Sequence, residues 1–232
     1  MRMEVHEFLR RRTVIYGEAG SGKTRLLADI LAGLRAVLNP FDITVVDLAP
    51  ERIGEVGGPL TVYADTSGIR YLRPARIYAP RLMACNAEDL RRYVALNVEE
   101  ARKHLQAYSS SPTAVLAVND ATIFLHGAEV NELISYAAKA STFVATAYYG
   151  EKLSEDYGTG LSTLERRRVE ELLKHVDVRL RLNSTSKPEN RGHLRLRGQR
   201  RRKPRPPDVN QAGVRPSLRH LHAAAKDPPS QP

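Results

Sequence analysis

Residues 17–24 read Gly17-Glu18-Ala19-Gly20-Ser21-Gly22-Lys23-Thr24, a G-x-x-x-x-G-K-[ST] pattern. Its glycines let the backbone fold closely on itself, so that successive N–H groups converge on one anion. Lys23 stands where an ammonium reaches the outer phosphates of a nucleoside triphosphate, and Thr24 where a hydroxyl coordinates the accompanying Mg²⁺. The segment from Gly17 to Thr24 is therefore expected to hold Mg-ATP. Such a loop needs a strand before it and a helix after it, whose N-terminal dipole favours the anion. The apolar run Thr13–Tyr16 and the helical spacing of Leu26, Leu27, Ile30, Leu31 and Leu34 predict that setting.

A triphosphate site also needs a second acid, delivered by the end of a buried neighbouring strand. Two runs end this way, Ile43–Asp47 and Ala114–Asp120. In one large branch of these enzymes a further strand separates the loop strand from the acid-bearing strand. Ile43–Asp47 is a candidate for that spacer, so the strand count favours Asp120, with Thr24 and Asp120 as the metal pair; Asp47 is otherwise a helix or turn cap. Hydrolysis further requires a group that orients water. Ala121 follows Asp120, and Glu51 lies four residues beyond Asp47. The catalytic candidates are thus Lys23, Asp120 and Glu51, while Glu18 is expected to be solvated.

Charge is segregated. From Arg179 onward the chain carries fourteen Lys and Arg against three acids, an excess of +11, whereas residues 1–178 hold 22 basic and 23 acidic residues. One end of the molecule is thereby suited to a polyanion, with Arg195, Arg197, Arg200, Arg201, Arg202, Lys203 and Arg205 as the contacting residues. The single Cys85 excludes an internal disulfide and a zinc–cysteine cluster. No apolar run reaches bilayer length, and the N-terminus lacks a secretion signal, so no membrane partner is expected and a soluble cytoplasmic protein is.

Strands alternating with helices predict an α/β fold, a mostly parallel sheet with helices on both faces, over residues 1–198. The Pro-rich, basic stretch 199–232 has no core-forming pattern and reads as a flexible tail. Asn86 should cap a long helix whose apolar face is Leu90, Val94, Val98, Ala101, Leu105 and Tyr108. Leu60–Tyr63 and Ile69–Leu72 read as a small hairpin, Ile77–Leu82 as a short extended segment, and Thr142–Ala147 as a strand. A mobile loop, Tyr149–Thr163, follows, then a helix opened by a Ser162/Glu165 capping box, and finally strands at Val176–Leu182 and His193–Arg197.

The loop Ile15–Thr24, the run Ala114–Asp120 and the order of elements between them resemble the RecA/RadA recombinase superfamily, particularly short archaeal RadA paralogues and RadB-like proteins. That resemblance implies a RecA-like ATPase core and a DNA repair setting. It places the catalytic Glu within a residue or two of the second-strand acid, where this chain has Leu48 and Ala49, and a polar sensor at the end of the strand that here reads Thr146-Ala147-Tyr148-Tyr149. It also matches Tyr149–Thr163 to a loop that touches single-stranded DNA.

Three functions suit these features. One is an ATPase acting on nucleic acid, single-stranded DNA being favoured, with Tyr148 and Tyr149 stacking on bases or buried in the core. Another is an ATP-controlled adaptor that docks to a protein partner or to a second copy of itself. The third is a small-molecule phosphotransferase with Arg166-Arg167-Arg168 as its lid, unless these form an exposed charged helix face.

Overall fold

A computed structural model describes residues 4–54 and 58–183 of the chain. In chain order the elements are β1 (Arg12–Gly17), α1 (Lys23–Val37), β2 (Ile43–Asp47), β3 (Arg70–Leu72), α2 (Pro80–Met83), α3 (Ala87–Ser110), β4 (Val115–Asn119), α4 (Thr122–Leu125), α5 (Val130–Ala137), β5 (Thr142–Tyr148), α6 (Leu161–Leu172) and β6 (Val178–Leu182). The strands form one six-stranded sheet in the order β3-β2-β4-β5-β1-β6, and every pairing is parallel. This is the α/β class expected.

Side-chain alternation along the strands divides the core between the two faces. Val14, Val46, Leu116, Val118, Phe143 and Ala145 pack with α3, α4, α5 and α6 residues on one face. Ile15, Ile43, Val45, Val115, Ala117 and Val144 pack with Leu27, Ile30, Leu31 and Leu34 of α1 on the other. Because both faces are covered, β2, β4 and β5 are buried at every position, which is why they read as continuous apolar runs. On α3, the expected face is buried at Leu90, Val98, Ala101, Leu105 and Tyr108, and Asn86 caps the helix by accepting the Asp89 N–H at 2.8 Å.

Several local expectations are corrected. The spacer between β1 and β4 is β5, whereas Ile43–Asp47 pairs with β4 from its far side. The anticipated hairpin is a 3-10 turn at Leu60–Val62, and Arg70–Leu72 joins β2 in parallel. The hairpin reading fails because Arg70–Leu72 finds its partner in Thr44–Val46, well upstream of the adjacent segment. Residues Pro80–Met83 form a helical turn rather than an extended segment. The Ser162/Glu165 capping box does not form: the N-cap is Gly160, the Asp156 carboxylate accepts the Ser162 N–H at 3.0 Å, and Glu165 turns into the protein. The basic residues Arg195, Arg197, Arg200, Arg201, Arg202, Lys203 and Arg205, the strand at His193–Arg197 and the 198/199 boundary lie outside the described residues.

Candidate nucleotide site

The loop Gly17–Thr24 joins the end of β1 to the start of α1, at the edge where all strands end. Two glycines are fixed by geometry. A Cβ on Gly17 would lie 2.1 Å from the Leu182 carbonyl oxygen of β6, and Gly22 caps α1 with φ 91°. No acid occupies the first turn of α1, and no side chain caps it, so its free N–H groups and dipole remain available to an anion.

Lys23 folds back into the loop and donates to the carbonyl oxygens of Gly17 (3.0 Å) and Glu18 (2.7 Å). Burial pushes its ammonium below the ordinary lysine range, while Asp120, then Glu18 and Glu165, oppose that shift. A bound polyphosphate would supply the negative charge that this buried cation lacks. Glu18 is not merely solvated. Its carboxylate accepts the N–H groups of Ala19 (2.8 Å), Glu151 (2.8 Å) and Lys152 (3.3 Å), tying the phosphate loop to the segment after β5. A Cβ on Gly150 would meet that carboxylate at 2.4 Å.

Strand β4, separated from β1 by β5, presents an amide to Thr24. The Thr24 hydroxyl lies 3.3 Å from Asn119 Oδ1, and Thr146 Oγ1 donates to the same oxygen at 3.0 Å. Asp47 fixes this orientation. Fully buried, it accepts the Asn119 amide nitrogen at 2.9 Å, along with the N–H groups of Ala49 and Leu60 and the Tyr71 hydroxyl. An ionised carboxylate only accepts, so the Asn119 NH₂ must face Asp47 and its oxygen must face Thr24. Asp47 thus supports the site from behind it.

Asp120 is the first residue beyond β4, at φ 56°. Its N–H bonds to Thr146 Oγ1 at 2.7 Å, and its Oδ1 accepts the Thr122 hydroxyl at 2.5 Å. Burial raises the Asp120 carboxyl above its ordinary range, against the Thr122 hydrogen bond and the charges of Lys23 and His126. Asp120 lines a cavity of about 50 Å³ with Arg81, His126, Tyr148 and Glu165. Glu51 stands elsewhere: its exposed carboxylate pairs with Arg73 at 2.7 Å, and among the described residues no hydrogen bond or ion pair joins it to Lys23, Thr24 or Asp120.

Beyond Asp120 lies a buried ionic cluster. Arg81 donates to Glu165 at 2.8 and 3.4 Å, and His126 Nε2 lies 2.5 Å from the same carboxylate. Tyr148 is buried rather than available to a base, and Tyr149 donates to Glu170 at 2.8 Å with Arg166 against its ring. Arg168 is buried too, bonding the Leu125 carbonyl at 2.8 Å and pairing with Glu129, so of the three arginines only Arg166 and Arg167 lie on an exposed face and Arg168 belongs to no free lid.

Sequence reasoning missed Asn119 and Thr146. Each is a polar residue at or near the end of an otherwise apolar strand, and that was the available signal. Among the described residues no three His, Cys, Asp or Glu side chains gather as a metal site. Mg²⁺ at a phosphate loop needs none, since it retains waters and takes nucleotide oxygens with one or two protein groups. Thr24, Asn119 and the nearby Asp120 fit that requirement.

Loop, helix and parallel sheet, with β5 between β1 and β4, define an α/β fold that carries a glycine-rich loop between its first strand and first long helix. No protein-family model matches the chain, and no curated protein matches it. Among solved structures it is similar to the flagellar accessory protein FlaH from Methanocaldococcus jannaschii, at 12% identity and TM-score 0.41 over 75% of this chain and 71% of that one. It is similar to an ATPase from the type III secretion system of pathogenic bacteria, at 14% identity and TM-score 0.34 over 73% and 55% of the two chains. A third similarity is to Pif1 helicase from Candida albicans, at 14% identity and TM-score 0.34 over 79% and 39%. The chain spans less than two thirds of the last two.

Proposed function

We propose that this chain is a Mg-ATP-binding, RecA-like ATPase that acts on nucleic acid, an accessory of the DNA recombination and repair type. The observation that carries the nucleotide half is a buried lysine in a glycine loop at an uncapped helix N-terminus, beside Thr24 and Asp120. Lys23 and the loop amides bind the phosphates, Thr24 and Asn119 hold the metal's shell, and Asp120 orients water. Bound Mg²⁺ would neutralise phosphate charge. The basic residues from Arg195 to Arg205 supply phosphate contacts of low sequence preference.

One observation favours a second reading, an ATP-operated switch that docks to a protein partner. The group facing Thr24 is the neutral Asn119 rather than a carboxylate, an arrangement suited to binding with slow turnover. Calorimetry and turnover with Mg-ATP decide between them. K23A should weaken binding at least about tenfold, the worth of one charge-assisted hydrogen bond. D120N should abolish turnover while E51Q retains it; the reverse pattern would move the catalytic role to Glu51. Stimulation by single-stranded DNA supports the nucleic-acid reading, and tight binding with negligible turnover supports the switch.

A further inference from the structure

We infer that Tyr148 is a positioning residue of the nucleotide site, its ring face holding the Lys23 ammonium where the phosphates must meet it. The inference rests on the nucleotide-binding reading of Gly17–Thr24. Tyr148 is the last residue of β5, the strand inserted between the loop strand and β4, and its side chain is buried. The Lys23 Nζ lies over its ring at 5.9 Å from the centroid, and the Arg81 guanidinium lies over the same ring at 5.7 Å. A ring quadrupole attracts cations at this range, more strongly where water is excluded.

The surroundings leave the ring little freedom. Its hydroxyl accepts the Leu153 N–H at 2.9 Å, which fixes the far end of the side chain. Glu165 holds and neutralises Arg81, so the second cation on the ring stays in place without repelling Lys23. The chain of contacts therefore runs from Glu165 through Arg81 and Tyr148 to Lys23.

The ring contact differs in kind from the other two that Lys23 makes. The Gly17 and Glu18 carbonyls must give up the ammonium when phosphate oxygens arrive, because they compete for the same protons. A π-face does not bind an anion, so an incoming phosphate has no reason to displace it.

The test is a cycle of Y148L and Y148F, each with Lys23 and with K23M, read by Mg-ATP calorimetry. Titration of the Lys23 side-chain amine by NMR in the nucleotide-free protein gives the second readout. Y148L should weaken binding about 3- to 30-fold, the range of a cation–π contact from exposed to desolvated. Y148F, which keeps the face and loses the hydroxyl, should restore most of that affinity. In the K23M background Y148L should cost nothing further, and the Lys23 amine should titrate lower in Y148L than in Y148F. Equal losses in Y148F and Y148L, or a full Y148L effect without Lys23, would overturn the inference while leaving nucleotide binding intact. If wild type binds no Mg-ATP, the nucleotide reading falls, and an unmoved Lys23 titration in Y148L then overturns the ring contact as well.

Discussion

Replacing Glu165 by Gln should destabilise the protein by about 3–5 kcal/mol, the cost of removing one partner from a buried ion pair. The carboxylate is 5% exposed, as is Arg81, and His126 is 4% exposed. Gln keeps one acceptor oxygen but turns an NH₂ toward groups that are themselves donors, leaving the guanidinium without a counter-charge. For a domain of this size the loss corresponds to a fall in Tm of roughly 6–20 °C. The chain has no tryptophan, so urea unfolding is best followed by circular dichroism. The double variant R81M/E165L removes both charges and should recover at least about 2 kcal/mol of the loss, because a buried pair often exchanges for apolar side chains at little cost. The pH dependence has a definite sign. Burial raises the Glu165 carboxyl, but His126 and Arg81 outweigh it and hold the folded value below the ordinary range. The stabilisation is therefore complete above about pH 4.3, the unfolded value, and disappears as pH falls through the lower folded value. The difference between wild type and E165Q should shrink over that acidic interval. A loss below about 1 kcal/mol at neutral pH, or a double variant no better than E165Q, would refute the reasoning.

Two further outcomes are expected. G17A places a methyl against the Leu182 carbonyl oxygen at a φ of +150°, so it should cost about 3 kcal/mol or more in urea unfolding and abolish Mg-ATP binding in calorimetry. Deleting residues 194–232 should leave the Mg-ATP Kd unchanged, weaken binding to single-stranded DNA, and reduce the slope of log K against log salt by up to about 7 in fluorescence titrations, since it removes ten basic residues, seven of them from Arg195 to Arg205.

The strand–loop–helix setting of Gly17–Thr24 was legible because its signal is local, with the glycines, lysine and hydroxyl written in eight consecutive residues between two periodic segments. The long helix from Ala87 to Ser110 was legible for a similar reason, its cap and its buried face both being written within the segment. Strands buried on both faces announced themselves as apolar runs, but their order in the sheet did not. That β5, and not β2, lies between β1 and β4 depends on which crossover helices pack on which face, and those contacts join residues far apart in the chain. Tertiary structure alone also decided the meaning of the polar residues. Glu165 carries the spacing of a cap yet closes an ion pair with Arg81, 84 residues away. Strand counting favoured Asp120 over Asp47 through a spacer that turned out to be another strand, and only contacts in space show that Asp47 holds the Asn119 amide while the Asn119 oxygen meets Thr24. A hydrogen-bond donor is chosen by distance in space, and sequence spacing reports that distance only within a single turn, helix or strand.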